Sequence, residues 1–275
     1  MAPRDITDLL NRRSDLSTFV VHLTKETGGR SAHDNLASIL EGQRIEARSP
    51  MGWKGRPGVL DASQLASMKV VCFSETPLEH VYTLFQEIAG RDVHLSTYGL
   101  ALTKEVARRN GINPVWYVDM SRDRYGDWEI AKALDALRTE AAASPAFSSH
   151  PVSKILPFIE AMGTWGPFSR KEFSWEREWR RVGDFRFLPD EVALVFCPES
   201  DIREFEATGE YRAVDPSWSL EWMINHLRRI SGGTGRVRSN HTATTIEPSQ
   251  VSRSRPPIVV VGSGEEQPVN ALKKP

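Results

Sequence analysis

Two carboxylates, Glu176 and Glu178, sit two residues apart in the run Lys-Glu-Phe-Ser-Trp-Glu-Arg-Glu-Trp-Arg-Arg-Val at residues 171–182. Read as an extended strand, this run places Ser174, Glu176, Glu178, Arg180 and Val182 on one side, because successive strand side chains point to opposite faces. Phe173, Trp175, Arg177, Trp179 and Arg181 take the other side. Carboxylates so spaced lie about 6–7 Å apart, close enough to repel and to raise one pKa unless a ligand hydroxyl or a cation such as Arg180 sits among them. A pair of this kind can move protons or steady a developing positive charge. An exposed strand face laced with ion pairs has the same spacing, and both readings stand at this point.

Three further places carry polar groups that could join such a site. His22 and Thr24 share a face of the β-branched run Thr18–Thr24, Ser74-Glu75-Thr76 follows a short apolar strand, and Tyr98 opens another. Each also has a plain structural reading, His22 as a core histidine, Ser74 and Thr76 as capping groups and Tyr98 as packing. Nucleophilic catalysis finds no support: there is no Gly-x-Ser-x-Gly, and neither Cys72 nor Cys197 has a recognisable histidine partner. Phosphate loops, dinucleotide fingerprints and Cys/His metal spacings are missing too.

The elements that must position these groups alternate irregularly. A short capped helix is expected at residues 5–13, then the strand carrying His22, then a helix with Asp34 as N-cap, Leu36, Ile39 and Leu40 as its apolar stripe and Gly42 at its end. Residues 48–66, rich in Gly, Pro and Ser, read as a mobile loop at the mouth of a site. After the strand Lys69–Phe73, Thr76, Pro77 and Glu79 form a capping box that starts a helix running to Gly90. Tyr98–Leu102 is a strand, Thr103 caps a short helix that stops at Asn110-Gly111, and Pro114–Val118 is a strand. Helical spacing covers Trp128–Ala142, and a second helix spans 151–163 with a kink or break at Pro157. Beyond 171–182 come strands Phe185–Phe187 and Val192–Phe196, then an amphipathic helix from Ser217 that uses Leu220, Met223, Ile224 and Leu227. This order predicts an α+β fold, too irregular for a repeated βαβ barrel.

The chain has 275 residues, 40% hydrophobic and 26% charged, enough for one large domain with a real core. Its net charge of -1 gives no global field toward nucleic acid or an acidic membrane. Residues 231–275 hold six Arg and Lys against three Glu, a charge of +3 beside -4 for residues 1–230, and one apolar cluster, Ile258–Val261. We therefore expect a folded domain over 1–230 and a flexible basic tail over 231–275, whose apolar cluster could add a strand to an open sheet edge. The two cysteines lie in apolar runs, and no signal peptide or membrane-length apolar run is evident, which predicts a cytoplasmic protein without membrane partners.

Several pieces together resemble a known family. His22-Leu-Thr24, Asn35-Leu-Ala-Ser-Ile-Leu-Glu-Gly42, Val71-Cys-Phe-Ser-Glu-Thr-Pro-Leu78, Tyr98-Gly-Leu and Pro114-Val-Trp-Tyr-Val118 resemble the AbiGi-like proteins of bacterial abortive phage resistance. Phe173-Ser-Trp-Glu-Arg-Glu-Trp-Arg180 is similar to the W-x-Y-E-x-E-W-R run of those proteins, with Phe173 and Trp175 replacing Trp and Tyr and so removing a phenol. The resemblance covers residues 18–200, and its opening pieces are similar to DarT-type toxins as well.

What the resemblance implies is an ADP-ribosyltransferase-like fold, split β-sheets around a cleft that holds NAD. Its implied catalytic residues are Glu178 and Glu176, with His22, Thr24, Ser74, Tyr98 and Arg180 holding NAD and no metal. Loss of nicotinamide leaves an oxocarbenium-like centre that a preorganised carboxylate would stabilise, while neutral His22 donates a hydrogen bond. The expected function is thus an NAD-dependent mono-ADP-ribosyltransferase, a toxin or effector of phage defence that modifies a nucleic-acid or protein acceptor. The alternative is a non-enzymatic, antitoxin-like or regulatory interaction protein on the same scaffold, with a toxin or antitoxin partner, since fold does not fix function.

Overall fold

The computed structural model describes residues 13–54, 59–87, 93–121, 129–164 and 170–232. Residues 5–12 of the helix expected at 5–13, and the tail beyond 232, lie outside them.

The architecture is mixed α+β. Thirteen strands are described: β1 (Phe19–Leu23), β2 (Arg44–Ile45), β3 (Ser49–Pro50), β4 (Lys69–Ser74), β5 (Gly99–Thr103), β6 (Asn113–Pro114), β7 (Trp116–Asp119), β8 (Ile159–Thr164), β9 (Arg170–Lys171), β10 (Glu178–Val182), β11 (Phe185–Arg186), β12 (Val192–Phe196) and β13 (Ala213–Val214). The main sheet runs β13-β12-β5-β1-β4-β10-β6, with β3 also on β4. Its pairings are antiparallel except for β12 with β13. A three-stranded sheet, β7-β8-β9, and the β11-β2 pair complete the set.

Both faces of the main sheet are covered, and the period-2 alternation shows it. Val20, Leu100, Leu102 and Val195 enter one apolar cluster, which takes Leu36 and Leu40 from helix α1 (Ala32–Gly42). Their neighbours Val21, Ala101, Leu194 and Phe196 enter a second, closed by Val81, Leu84 and Met223. Strands buried on both sides read as continuous apolar runs, as Val192–Phe196 does.

Several local expectations need correcting. Ser31, not Asp34, caps α1 by accepting from the Asp34 N–H at 3.0 Å, and Gln43 closes it in the left-handed region. The loop expected at 48–66 contains β3 and helix α2 (Ala62–Ser67), whose capping box is Asp61 with Gln64. The helix expected from Thr76 to Gly90 is a 3-10 helix, Leu78–Phe85, preceded by Pro77 without a side-chain cap. Val81, Tyr82, Thr83 and Phe85 are indifferent helix formers, so packing of Val81 and Leu84 decides the geometry. Thr103 does cap helix α3 (Lys104–Arg109), and helix α4 (Glu129–Ala143) follows the predicted spacing. Pro114–Val118 divides between β6 and β7, which belong to different sheets.

The largest change concerns 151–163. Helix α5 (Pro151–Ile155) gives way to a 3-10 turn, Leu156–Phe158, and the chain then becomes strand β8. Pro157 lacks the N–H that a continuing helix needs, and Ile159-Glu160-Ala161 alternates as a strand does. Beyond β12 lie helix α6 (Ile202–Phe205), β13 and helix α7 (Leu220–Gly232).

Gly99 marks the closest approach in the sheet. A Cβ there would lie 2.3 Å from the His22 carbonyl oxygen and 2.7 Å from Leu23 Cδ2. Gly99→Ala should therefore cost about 1–3 kcal/mol of unfolding free energy, as overpacking does, measured as a lower urea midpoint at unchanged m-value.

Candidate functional site

The run 171–182 is not one strand. β9 ends at Lys171, Ser174–Glu176 forms a 3-10 turn, Arg177 adopts φ 45°, and β10 begins only at Glu178. Glu172 accepts from both the Ser174 N–H and its hydroxyl, which bends the chain locally. From β4's end, buried Glu75 anchors the turn: its carboxylate takes Arg177 Nη2 at 2.5 Å, Lys104 Nζ at 2.8 Å and Trp179 Nε1 at 3.0 Å. The Glu75 N–H donates to the Arg177 carbonyl at 3.1 Å. Glu176 and Glu178 therefore do not share a strand face, which corrects the geometry expected for them.

β10 carries the centre of the site. Arg180 lies opposite Cys72, and Glu178 opposite Ser74, so these four share one face of the sheet. Arg180 is wholly buried. Its Nε and Nη2 donate to the two Glu178 oxygens at 3.0 and 2.7 Å, Nη2 also to Glu160 at 2.7 Å, and Nη1 to the Pro157 carbonyl at 2.7 Å. The other Glu160 oxygen accepts from Lys171. Burial pushes Glu160 toward protonation, but Arg180 and Lys171 outweigh it and hold its pKa below the ordinary value. Arg180 is shifted the other way: burial lowers its pKa, Glu178 and Glu160 more than restore it, and the net direction is up. The cluster Lys171–Glu160–Arg180–Glu178 is charge-balanced, two cations to two anions.

Between β1 and β4 the sheet opens. β1 pairs with β5 along its whole length, but with β4 only through Val21 and Ser74. A cavity of about 990 Å³ fills the opening. Val21, Ser74 and Glu178 are cross-strand partners on one face, so His22 belongs to the other face, where its ring meets Phe73 at 5.7 Å. Both His22 and Glu178 line the cavity, reaching it from opposite sides of the sheet.

His22 Nδ1 lies 2.8 Å from the Cys72 carbonyl oxygen, which only accepts, so Nδ1 holds the proton. Burial lowers the His22 pKa, the Cys72 carbonyl opposes this, and nearby Arg48 adds to the depression. A neutral His22 with Nδ1–H committed to Cys72 leaves only Nε2, an acceptor. The expected donation of a hydrogen bond to a ligand is therefore not what this geometry offers.

The other expected residues divide. Ser74, Thr24, Glu176 and Glu178 line the cavity. Thr24 spends its hydroxyl on the Ala32 carbonyl at 2.8 Å. Arg180 also borders the cavity, with its guanidinium committed to Glu178 and Glu160. Tyr98 is not a cavity residue: it donates to Asp201 at 2.5 Å and packs against His33 and Phe205. Burial and then Asp201 raise the Tyr98 pKa. Cys72 lines the cavity with its pKa raised, first by burial and then by the Glu178 charge. Among the described residues, no group of His, Cys, Asp and Glu is placed to hold a metal, and no helix is long and apolar enough to cross a membrane.

Sequence reasoning missed Glu160 and Glu75. Glu160 was hidden by the helical reading of 151–163, although the alternation after Pro157 was available as a signal. Glu75 lies in the middle of the Ser74–Thr76 turn, where the sequence reading gives roles only to its two neighbours.

A family model described as "Putative abortive phage resistance protein AbiGi, antitoxin" matches residues 59–209. No curated protein and no solved structure matches the chain significantly. An antitoxin counteracts a toxin, so this match overturns the expectation of an ADP-ribosyltransferase toxin and favours the non-enzymatic alternative.

Removing the central cation alone should be severe. Arg180→Met leaves the largely enclosed Glu178 without its partner and Glu160 with Lys171 alone, and is expected to cost about 3–5 kcal/mol in denaturant unfolding. Adding Glu160→Leu and Glu178→Leu to that variant should recover most of the loss, because apolar side chains replace the enclosed charges and Lys171, at the exposed edge, can turn to water. A recovery of nothing would mean that the cluster is not the unit described. For His22, the folded chain binds the ring proton at lower pH than the unfolded chain does. Its contribution to stability is complete above about pH 6.5 and is lost as pH falls below that value. The stability difference between wild type and His22→Gln should shrink over that acidic range, read from urea unfolding at a series of pH values.

Proposed function

The chain belongs to the AbiGi family, and from that premise we propose that it is the antitoxin of an abortive-infection system, a non-enzymatic protein that restrains a toxin partner by binding it. The observation that carries this reading is the Arg180 clamp on Glu178. Both carboxylate oxygens are engaged by one buried guanidinium, in the bidentate geometry that makes such pairs strong. A carboxylate so engaged is already neutralised and does not present its charge to a reacting centre, where preorganised electrostatic stabilisation would have to act.

We further read the scaffold as ADP-ribosyltransferase-like. The opening between β1 and β4, with a cavity at the split, supports that reading. On such a scaffold the E-x-E-W-R run serves the architecture rather than a transfer reaction.

The test is protection of cells that express the cognate toxin. Wild-type protein should form a stable complex with the toxin in size-exclusion chromatography and restore growth. Glu178→Gln should restore growth within about twofold of wild type, since a glutamine oxygen still accepts from Arg180. Loss of protection by a Glu178→Gln protein that remains folded and toxin-bound would reject the non-enzymatic reading.

A further inference from the structure

A protein that restrains a toxin by binding it needs an exposed surface whose charges are not already answered from within. The mouth of the cavity between β1 and β4 has that property. Lys25 and Arg30 reach it from the segment between β1 and α1, Arg48 from the residue before β3, and Arg186 from β11, so cations stand on both sides of the opening. All four are exposed. Lys25 has no ion-pair partner within 4 Å among the described residues. Arg186 acts on Asp184 from beyond that distance, and Asp184 is already held by Arg44 at 2.6 Å and the Ala47 N–H at 2.8 Å. The Arg30 guanidinium makes one long bond, 3.5 Å, to the Asp34 main-chain oxygen. Arg48 shares a single carboxylate, Glu46, with Arg44 at 3.5 and 3.8 Å. Deeper in, Glu178 and Glu160 are committed to Arg180 and Lys171.

The lining beside these cations is apolar: Ile39, Met51 and Leu95 are half-buried, and Val93 is 38% exposed. An apolar floor within a charged rim is the anatomy of a protein interface, where the floor excludes water and the rim charges steer encounter and fix register. Guanidinium forks take both oxygens of a carboxylate. Nucleic acid is served less well, since none of the aromatic residues lining the cavity is exposed for a base to stack on, and the chain's net charge is -1.

We propose that the mouth formed by Lys25, Arg30, Arg48 and Arg186 is the docking surface for an acidic segment of the toxin. Asp and Glu side chains of that segment lie on the four cations, and its apolar residues lie on Ile39, Met51, Val93 and Leu95. The assignment rests on the antitoxin reading, since it says where that partner is held.

Isothermal titration of the full chain with the cognate toxin, before and after nuclease treatment of both, tests it. Wild-type protein should bind in both cases, with an affinity that falls as salt is raised. Arg30→Glu with Arg186→Glu should weaken binding at least about tenfold, because like charges then face each other across the contact. The thermal midpoint of that variant without toxin should stay at the wild-type value, and Arg30→Gln with Arg186→Gln, which adds no repulsion, should weaken binding by a smaller factor. A control with the same change of charge at exposed positions outside the cavity lining, Lys154→Glu with Arg228→Glu, should bind within about twofold of wild type. A hexaglutamate peptide in excess should displace the toxin, and a hexaglutamine peptide should not. A complex that the Arg30 and Arg186 variants do not weaken, that the control weakens equally, that hexaglutamine displaces as well as hexaglutamate does, or that nuclease dissolves would overturn the docking assignment and leave the antitoxin reading standing. Wild-type protein that binds no toxin under either condition would reject the antitoxin reading, and the assignment with it.

Discussion

A guanidinium with no access to water must find its counter-charges inside the protein, and much of this structure follows from where Arg180 finds them. Taking one ion out of water costs several kcal/mol even after relaxation, so an unpaired Arg180 could not stay where β10 places it. Glu178 is supplied by the same strand two residues earlier, on the same face. Glu160 and the Pro157 carbonyl come from β8 and the turn before it. One side chain therefore ties the main sheet to the β7-β8-β9 sheet. It also explains why the helix of 151–155 has to stop where it does: a helix through Glu160 would not lay a carboxylate and a free carbonyl beside β10.

The same constraint shapes the cavity. β4 is held along one edge by β10, so the divergence of β1 leaves the other edge of β4 between Ser74 and Val70 without a strand. An open strand edge facing a cavity presents backbone polar groups that need partners. At Cys72 the carbonyl is answered by a side chain, His22 Nδ1, where a neighbouring strand would otherwise serve. His22 thus works as a bridge across the split, and its lowered pKa is the electrostatic consequence of holding it there beside Arg48. The turn at 174–177 is fixed from the same strand, through Glu75, so both ends of the opening depend on β4.

Patterns with a single strong period were legible in the sequence. The strands around Val20, Val71, Leu100 and Val195, the Thr103 cap and the helix at 129–143 all follow from apolar spacing and capping chemistry, because burial on both sheet faces enforces them. The neighbourhood of Glu178 was legible in type but not in shape. Alternation over 171–182 is compatible with a strand, yet Arg177 takes a left-handed conformation supported by its contacts with Glu75, the Asp15 carbonyl and the Ser174 carbonyl. The contact with Glu75 crosses 102 residues of sequence, and no local rule reports it. Tyr98 failed for a related reason: an aromatic opening a strand can turn either way, and Asp201, far along the chain, decides which.

The E-x-E-W-R run shows how one set of residue types supports two opposite functional readings. Two glutamates and an arginine near a cleft suggest chemistry when the carboxylates are imagined with their charge directed at a ligand. Here Trp179 donates to Glu75, and Glu178 is held by Arg180. What separates the readings is the depth of the arginine. An exposed arginine beside Glu178 would be screened by water and would leave the carboxylate open to exchange with a ligand. A buried one makes release of Glu178 expose an uncompensated charge, so the pair behaves as a single neutral unit.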